Sequence, residues 1–197
     1  MSNQYQEYLD LVYSYPELVD KHANRFETVV IEQTAVDRIS KWVNKYVDAK
    51  HREKRYKIDP GKMSKRALTG FCGEYAVQKF LGVNFIDWSI SQSERYNKPD
   101  LDKIGIDCGI KTVEYGKFPL ISQQAKTPQF FVIKKSECVF WLCGWADPKI
   151  LNQYQSEDLI LDPNLRKRGV KTGFYGFGHL ARPMVLKLIF SLDLELI

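Results

Sequence analysis

Glu74, Asp100, Asp102, Asp107 and Lys111 are four carboxylates and one amine whose types and spacing suit a shared chemistry. Positions 67, 70, 71, 74, 77, 78 and 81 lie along one side of a helix, which places Glu74 in a stripe with Ala67, Gly70, Phe71, Val77, Gln78 and Leu81. A carboxylate pressed towards a sheet costs free energy unless it is paired, hydrogen-bonded or bound to metal. The alternative is that Glu74 lies at the edge of the stripe and reaches solvent. Downstream, KPDLDKIGIDCGIKTVEYGKFPLI reads as an acidic turn followed by a lysine strand. In an extended strand Asp107, Gly109 and Lys111 share one face, while Cys108, Ile110 and Thr112 share the other. Asp100 and Asp102 likewise face one way. If the two segments are neighbours, an acidic cluster faces a single ammonium, with Glu74 arriving from the helix above.

Hard carboxylate oxygens hold Mg²⁺ with several waters retained, and such an ion polarises a phosphate and lowers the pKa of an attacking water. A lysine ammonium orients that water or offsets charge building on the transition state, an effect commonly worth ~3–4 kcal/mol. The set therefore suits phosphodiester hydrolysis, with Mg²⁺ as the expected ion and Mn²⁺ as a substitute.

The elements that must position these groups follow from periodicity and turn chemistry. Val36, Ile39, Val43 and Tyr46 predict an amphipathic helix over residues 36 to 47. Asp59-Pro60-Gly61 makes a turn, and a second helix is predicted from Ser64 to Leu81, closed by Gly82. NFIDWSI reads as a short strand, SQSERYNKPD as a polar loop and IDCGIKTV as a β-branched strand. QFFVIKK and CVFWLCGWA, parted by Ser136-Glu137, read as an antiparallel hairpin. The Pro and Gly content of residues 146 to 182 predicts irregular chain with short helical pieces such as PKILNQY. FSLDLELI alternates as a strand would, although PMVLKLIF also fits a helix; the strand is the expectation.

A chain of 197 residues can bury a sizeable core without disulfides, and 44% hydrophobic with 27% charged residues is an ordinary globular composition. The expected organisation is one domain over 1–197, with a helical part at 1–62, the chemical core at 63–145 and a C-terminal extension at 146–197. No apolar run is long enough to span a bilayer, and the first residues lack the pattern of a secretory signal, so the expected location is the cytoplasm. Cys72, Cys108, Cys138 and Cys143 form no CxxC pair, which leaves a structural zinc site without its spacing and favours buried free thiols. His22, His51 and His179 stand apart from any GxSxG sequence, and GVKTGFYGFGHL lacks the spacing of a phosphate-binding loop. Gln123 and Gln124 read as surface residues, and Trp88, Trp141 and Trp145 as core or interface.

The net charge of +5 is unevenly placed. Residues 41 to 66 hold ten Lys/Arg against three Asp/Glu, so that segment carries +7 and the remainder −2. A polyanion partner fits, because Lys and Arg bind phosphates through counterion release. Lys54, Arg55, Lys62, Lys65 and Arg66 are the candidate contacts there, and Arg166, Lys167 and Arg168, ahead of Phe174 and Tyr175, form a second basic cluster. A solvated helical face is the ordinary alternative.

GFCGEYAVQKFLG, Pro99-Asp100 and the strand sequence GIKT together resemble the PD-(D/E)XK nuclease superfamily over roughly residues 64 to 145. The resemblance implies a restriction-endonuclease-like α/β fold, a central mixed sheet flanked by helices. It implies Glu74 and Asp100 as metal ligands and Lys111 as the motif lysine. Where the family pattern has an acid two residues before the lysine, this chain has Gly109. Either Asp107 or Asp102 then supplies the missing oxygen, or the site is a degenerate one kept for binding. The function implied is a Mg²⁺-dependent DNA endonuclease acting on double-stranded DNA. A homodimer would present two identical sites to two strands. The competing expectations are a non-catalytic nucleic-acid-binding protein and a surface for an acidic protein.

Overall fold

The structure is a computed structural model that describes residues 13–52, 59–88 and 99–194. In chain order its main elements are α1 (Tyr15–Leu18), β1 (Glu27–Val30), α2 (Gln33–Arg52), α3 (Pro60–Leu81), β2 (Gly109–Glu114), β3 (Leu120–Ser122), β4 (Gln129–Lys134), β5 (Val139–Ala146), α4 (Pro148–Gln153), β6 (Gln155–Ser156), α5 (Pro163–Lys167), β7 (Lys171–Phe174) and α6 (Pro183–Leu194). The fold is α/β: a mixed four-stranded sheet in the order β1-β5-β4-β2 has helices against it, and a second sheet has the order β3-β7-β6. Two compact units arise, one of residues 28–115 and 132–142, the other of residues 1–27, 116–131 and 143–197.

Within the first unit α3 packs on both α2 and β2. Its start is set by Asp59, whose carboxylate accepts from the Lys62 N–H at 3.0 Å, with Pro60 in the first turn. The predicted start at Ser64 is therefore one turn late. Gly82 ends the helix in the left-handed conformation, φ 75°, as its position after Leu81 predicts. Helix α2 runs from Gln33, and Val36, Ile39, Val43 and Val47 are its buried stripe.

NFIDWSI does not form a strand over its described residues. The N–H groups of Phe85 and Ile86 donate to the side-chain oxygen of Gln78 on α3, at 3.0 and 3.2 Å, instead of to a ladder. Both residues are buried, so a helix side chain ties down a segment that alternation assigns to a sheet. The expected β-branched strand forms as β2, and QFFVIKK and CVFWLCGWA form β4 and β5, closed by Lys135 N–H and Ser136 N–H donating to Val139 O.

In the second unit, residues 146 to 182 are more regular than their glycines predict. β7 pairs antiparallel with β3 (Leu120 opposite Gly173) and with β6 (Gln155 opposite Phe174). The glycines permit close approach: a Cβ on Gly173 would stand 2.3 Å from Leu159 Cβ, and one on Gly176 would stand 2.6 Å from Tyr154 Cβ. Phe131 and Phe174 stack at 4.5 Å with planes 2° apart, and Phe177 joins them. The C-terminal strand is also corrected. Residues 183–194 form α6, opened by Pro183 at a position where a missing N–H costs nothing and holding Leu186 buried. None of the four cysteines is in a disulfide. No helix among the described residues is long and apolar enough to cross a membrane.

Candidate active site

The seam between α3 and β2 is closed by an absence of side chain. A Cβ on Gly73 would lie 1.9 Å from Thr112 Oγ1, so only glycine lets the helix settle onto this strand. The buried residues of α3 are Thr69, Cys72, Gly73, Ala76, Val77 and Leu81; of the predicted stripe Val77 and Leu81 are among them, while Ala67, Gly70, Phe71, Glu74 and Gln78 are half-buried. The reason is that α3 has two neighbours: Phe71 turns to Trp42 of α2, 4.4 Å between ring centroids, while Gly73 turns to β2. Glu74 lies beside Gly73 and is half-buried.

The turn before β2 presents Asp100 by folding back on the strand. Leu101 is fully buried, its N–H donates to Cys108 O at 3.1 Å, and Ile106 N–H donates to Leu101 O at 3.2 Å. This brings the Asp100 carboxylate over β2, where Ile110 N–H donates to its Oδ2 at 2.5 Å. Asp100 is accessible as a residue, yet surrounding protein desolvates its carboxylate. That desolvation raises its pKa, against the lowering effects of the Ile110 N–H and Lys111.

Glu74, Asp100 and Lys111 are one electrostatic group. Burial pushes the Glu74 carboxyl up to about 8, the Asp100 charge pushes it in the same direction, and Lys111 opposes both. No ion pair joins Lys111 to either carboxylate among the described residues. The three groups are coupled through space and are not locked together. At neutral pH Glu74 therefore retains a proton that a nearby cation would displace.

The other expected members sit differently. Asp102 opens a 3₁₀ turn at Asp102–Ile104, and Asp107 is exposed. Gly109, at the start of β2, is buried. Among the described residues no three His, Cys, Asp or Glu side chains come together as a metal cage. Glu74 and Asp100 are the carboxylates that Lys111 acts on most directly.

Of the basic candidates, Lys62, Lys65 and Arg66 are exposed on the first half of α3, and Lys65 pairs with Glu114 at the end of β2, 3.1 Å apart. Lys167 and Arg168 are exposed at the end of α5. Arg166 is employed internally: its Nη2 donates to Asp158 O at 3.0 Å and Ile160 O at 3.1 Å. Lys54 and Arg55 lie outside the described residues. Gln123 is exposed and donates to Glu157 at 2.7 Å. Gly73 and Thr112 are not evident from sequence as members of the site. The small-residue spacing of GFCG on a helix is the available signal, since two glycines a turn apart mark a face that another backbone can approach.

No protein-family model, no curated protein and no solved structure matches this chain.

Proposed function

We propose that this protein is a divalent-metal-dependent nuclease that hydrolyses DNA phosphodiester bonds, built on a restriction-endonuclease-like core. The observation that carries the reading is the coupling of Glu74, Asp100 and Lys111 at the α3–β2 seam, two desolvated carboxylates against one ammonium. Perturbed carboxyls of this type recur where protons or metal ions are handled. The donor set fits Mg²⁺, which is held through one or two carboxylates while it keeps waters and takes substrate oxygens. Glu74 and Asp100 are the residues that would hold it. When bound, such an ion supplies Lewis acidity and a water of lowered pKa.

The chain's own groups have separate roles. Asp100 is fixed by the Ile110 N–H, so its oxygens keep one orientation. Burial keeps Glu74 protonated near neutral pH, so a divalent ion held there would displace that proton and take the carboxylate as a ligand. Lys111 supplies positive charge to the phosphate as negative charge develops on it, and it lowers the cost of ionising both carboxylates. The exposed Lys62 and Arg66 on the same helix provide phosphate contacts.

The test is cleavage of supercoiled, linear duplex and single-stranded DNA in Mg²⁺ and in EDTA. Activity is expected only with the metal, and Lys111→Ala is expected to lower it about 10²–10³-fold. Absence of metal-dependent cleavage on every form, or full activity in Lys111→Ala, defeats the reading. A second reading, a nuclease-like protein that binds DNA without cutting it, is favoured by Gly109 standing where the motif acid would be. Salt-sensitive binding without cleavage is its outcome in the same assay.

A further inference from the structure

We propose that the outward face of α2 is a binding site for single-stranded DNA, with bases seated against a Trp42–Trp88 platform and phosphates on Arg38, Lys41 and Lys45. The proposal rests on the nucleic-acid reading above and refines its substrate class, from duplex to DNA with an unpaired stretch.

A concavity of about 480 Å³ is lined by Thr34, Asp37, Arg38, Lys41, Trp42 and Lys45. None of Glu74, Asp100 and Lys111 lines it. The three cations fall on one side of the helix, and from Arg38 to Lys45 the helix rises about 10 Å, enough to face more than one phosphate of an extended strand. They are exposed, and the single acid among them, Asp37, accepts a hydrogen bond from Gln33 at 3.0 Å.

Behind the cations stands an aromatic cluster. Trp42 Nε1 donates to Trp88 O at 2.8 Å, and the Trp42 ring meets Trp88 edge-on at 5.6 Å and Tyr46 stacked at 5.3 Å. Phe71 supports Trp42 from α3. Trp88, read from sequence as core or interface, keeps 36% of its surface exposed. The Arg38 guanidinium lies 5.7 Å from the ring centroids of both Trp88 and Tyr75, which holds a cation at the aromatic rim.

Cations along a groove with fixed rings between them are the two parts of a single-strand site: charge tracks the backbone and each exposed ring accepts a base face. A duplex hides its base faces in the stack, so it would use the cations and leave the rings idle. An acidic peptide would do the same.

Anisotropy of a labelled oligothymidylate, with and without its complementary strand, tests this on the full chain in EDTA. The single strand is expected to bind more tightly than the duplex. Lys41→Gln/Lys45→Gln is expected to weaken it about tenfold or more and to flatten the log K against log salt slope by about 1.4. Trp88→Ala, at the rim, is expected to weaken the single strand about tenfold with duplex binding unchanged, and Trp42→Phe, which keeps a ring, is expected to fold and lose less. Circular dichroism of each variant controls for folding. Equal binding of both DNA forms, indifference to the Trp88 change, or equal displacement by polyglutamate overturns the proposal. Metal-dependent, Lys111-dependent cleavage persisting through such a failure leaves the nuclease reading intact; groove binding without that cleavage removes the nuclease reading and keeps this one.

Discussion

Two seams in this protein are closed by the same device and filled in opposite ways. At β7, Gly173 and Gly176 admit Leu159 and Tyr154, and the space is completed by Phe131, Phe174 and Phe177. At the α3–β2 seam, Gly73 admits Thr112, and the space beside it holds Glu74, Asp100 and Lys111, with Thr112 Oγ1 buried and unpaired. Every group in the first seam gains by burial. In the second, desolvation works against the charged form of both carboxyls, so the seam costs stability that a purely structural contact would not. Desolvated carboxyls at a tight backbone approach are what the proposed nuclease site would require.

Emptying the apolar seam has the largest expected effect. Phe174→Ala is expected to cost about 3–5 kcal/mol in urea unfolding, with the pH dependence of stability unchanged. A loss under about 1 kcal/mol would mean the stack is not a stability element.

The next effect belongs to Glu74 and depends on pH. The folded protein retains a proton that the unfolded chain releases above about pH 4.5, and it releases that proton only near pH 8. Stability is therefore lost as pH rises through this window and levels off above it. Glu74→Gln removes the titration, so variant minus wild type should grow by about 2–3 kcal/mol between the two ends of the window in EDTA, below the ceiling of about 5 kcal/mol for a fully enclosed group, because solvent screens a half-buried side chain. Added Mg²⁺ should shift the wild-type window to lower pH, since the ion binds only the ionised carboxylate. A flat difference across the window would show that Glu74 titrates normally.

The smallest effect sharpens how the seam is closed. Gly73→Ala is expected to cost about 1–2 kcal/mol through the clash with Thr112. Thr112→Ala removes the two nearest atoms and an unpaired hydroxyl, so alone it should be nearly neutral, and it should restore part of the Gly73→Ala loss. Simple additivity in that cycle would contradict the contact.

Local signals carried far where one segment decides its own conformation. Gly82 closes α3 where its position predicts because a left-handed glycine acts within a turn, and the runs around Phe130 and Phe140 are strands because β-branched and aromatic residues pack on a pleated surface. Local signals failed where a distant partner supplies the hydrogen bonds. Gln78 draws the Phe85 and Ile86 N–H groups away from any ladder, and Gly173, Gly176 and Gly178 admit neighbours instead of breaking the chain.

Read in one dimension, the chain specifies which groups are available: a helix glutamate, a turn aspartate, a strand lysine, and a basic stretch beginning at Lys41. Which of them act on one another is settled by packing. Asp102 and Asp107 are nearer to Lys111 along the chain than Asp100 is, but the turn buries Leu101 and clasps Asp100 to Ile110. Glu74 joins them because Gly73 has no side chain to hold α3 off β2. Proximity across a seam is set by the approach of two backbones, and no single segment encodes it.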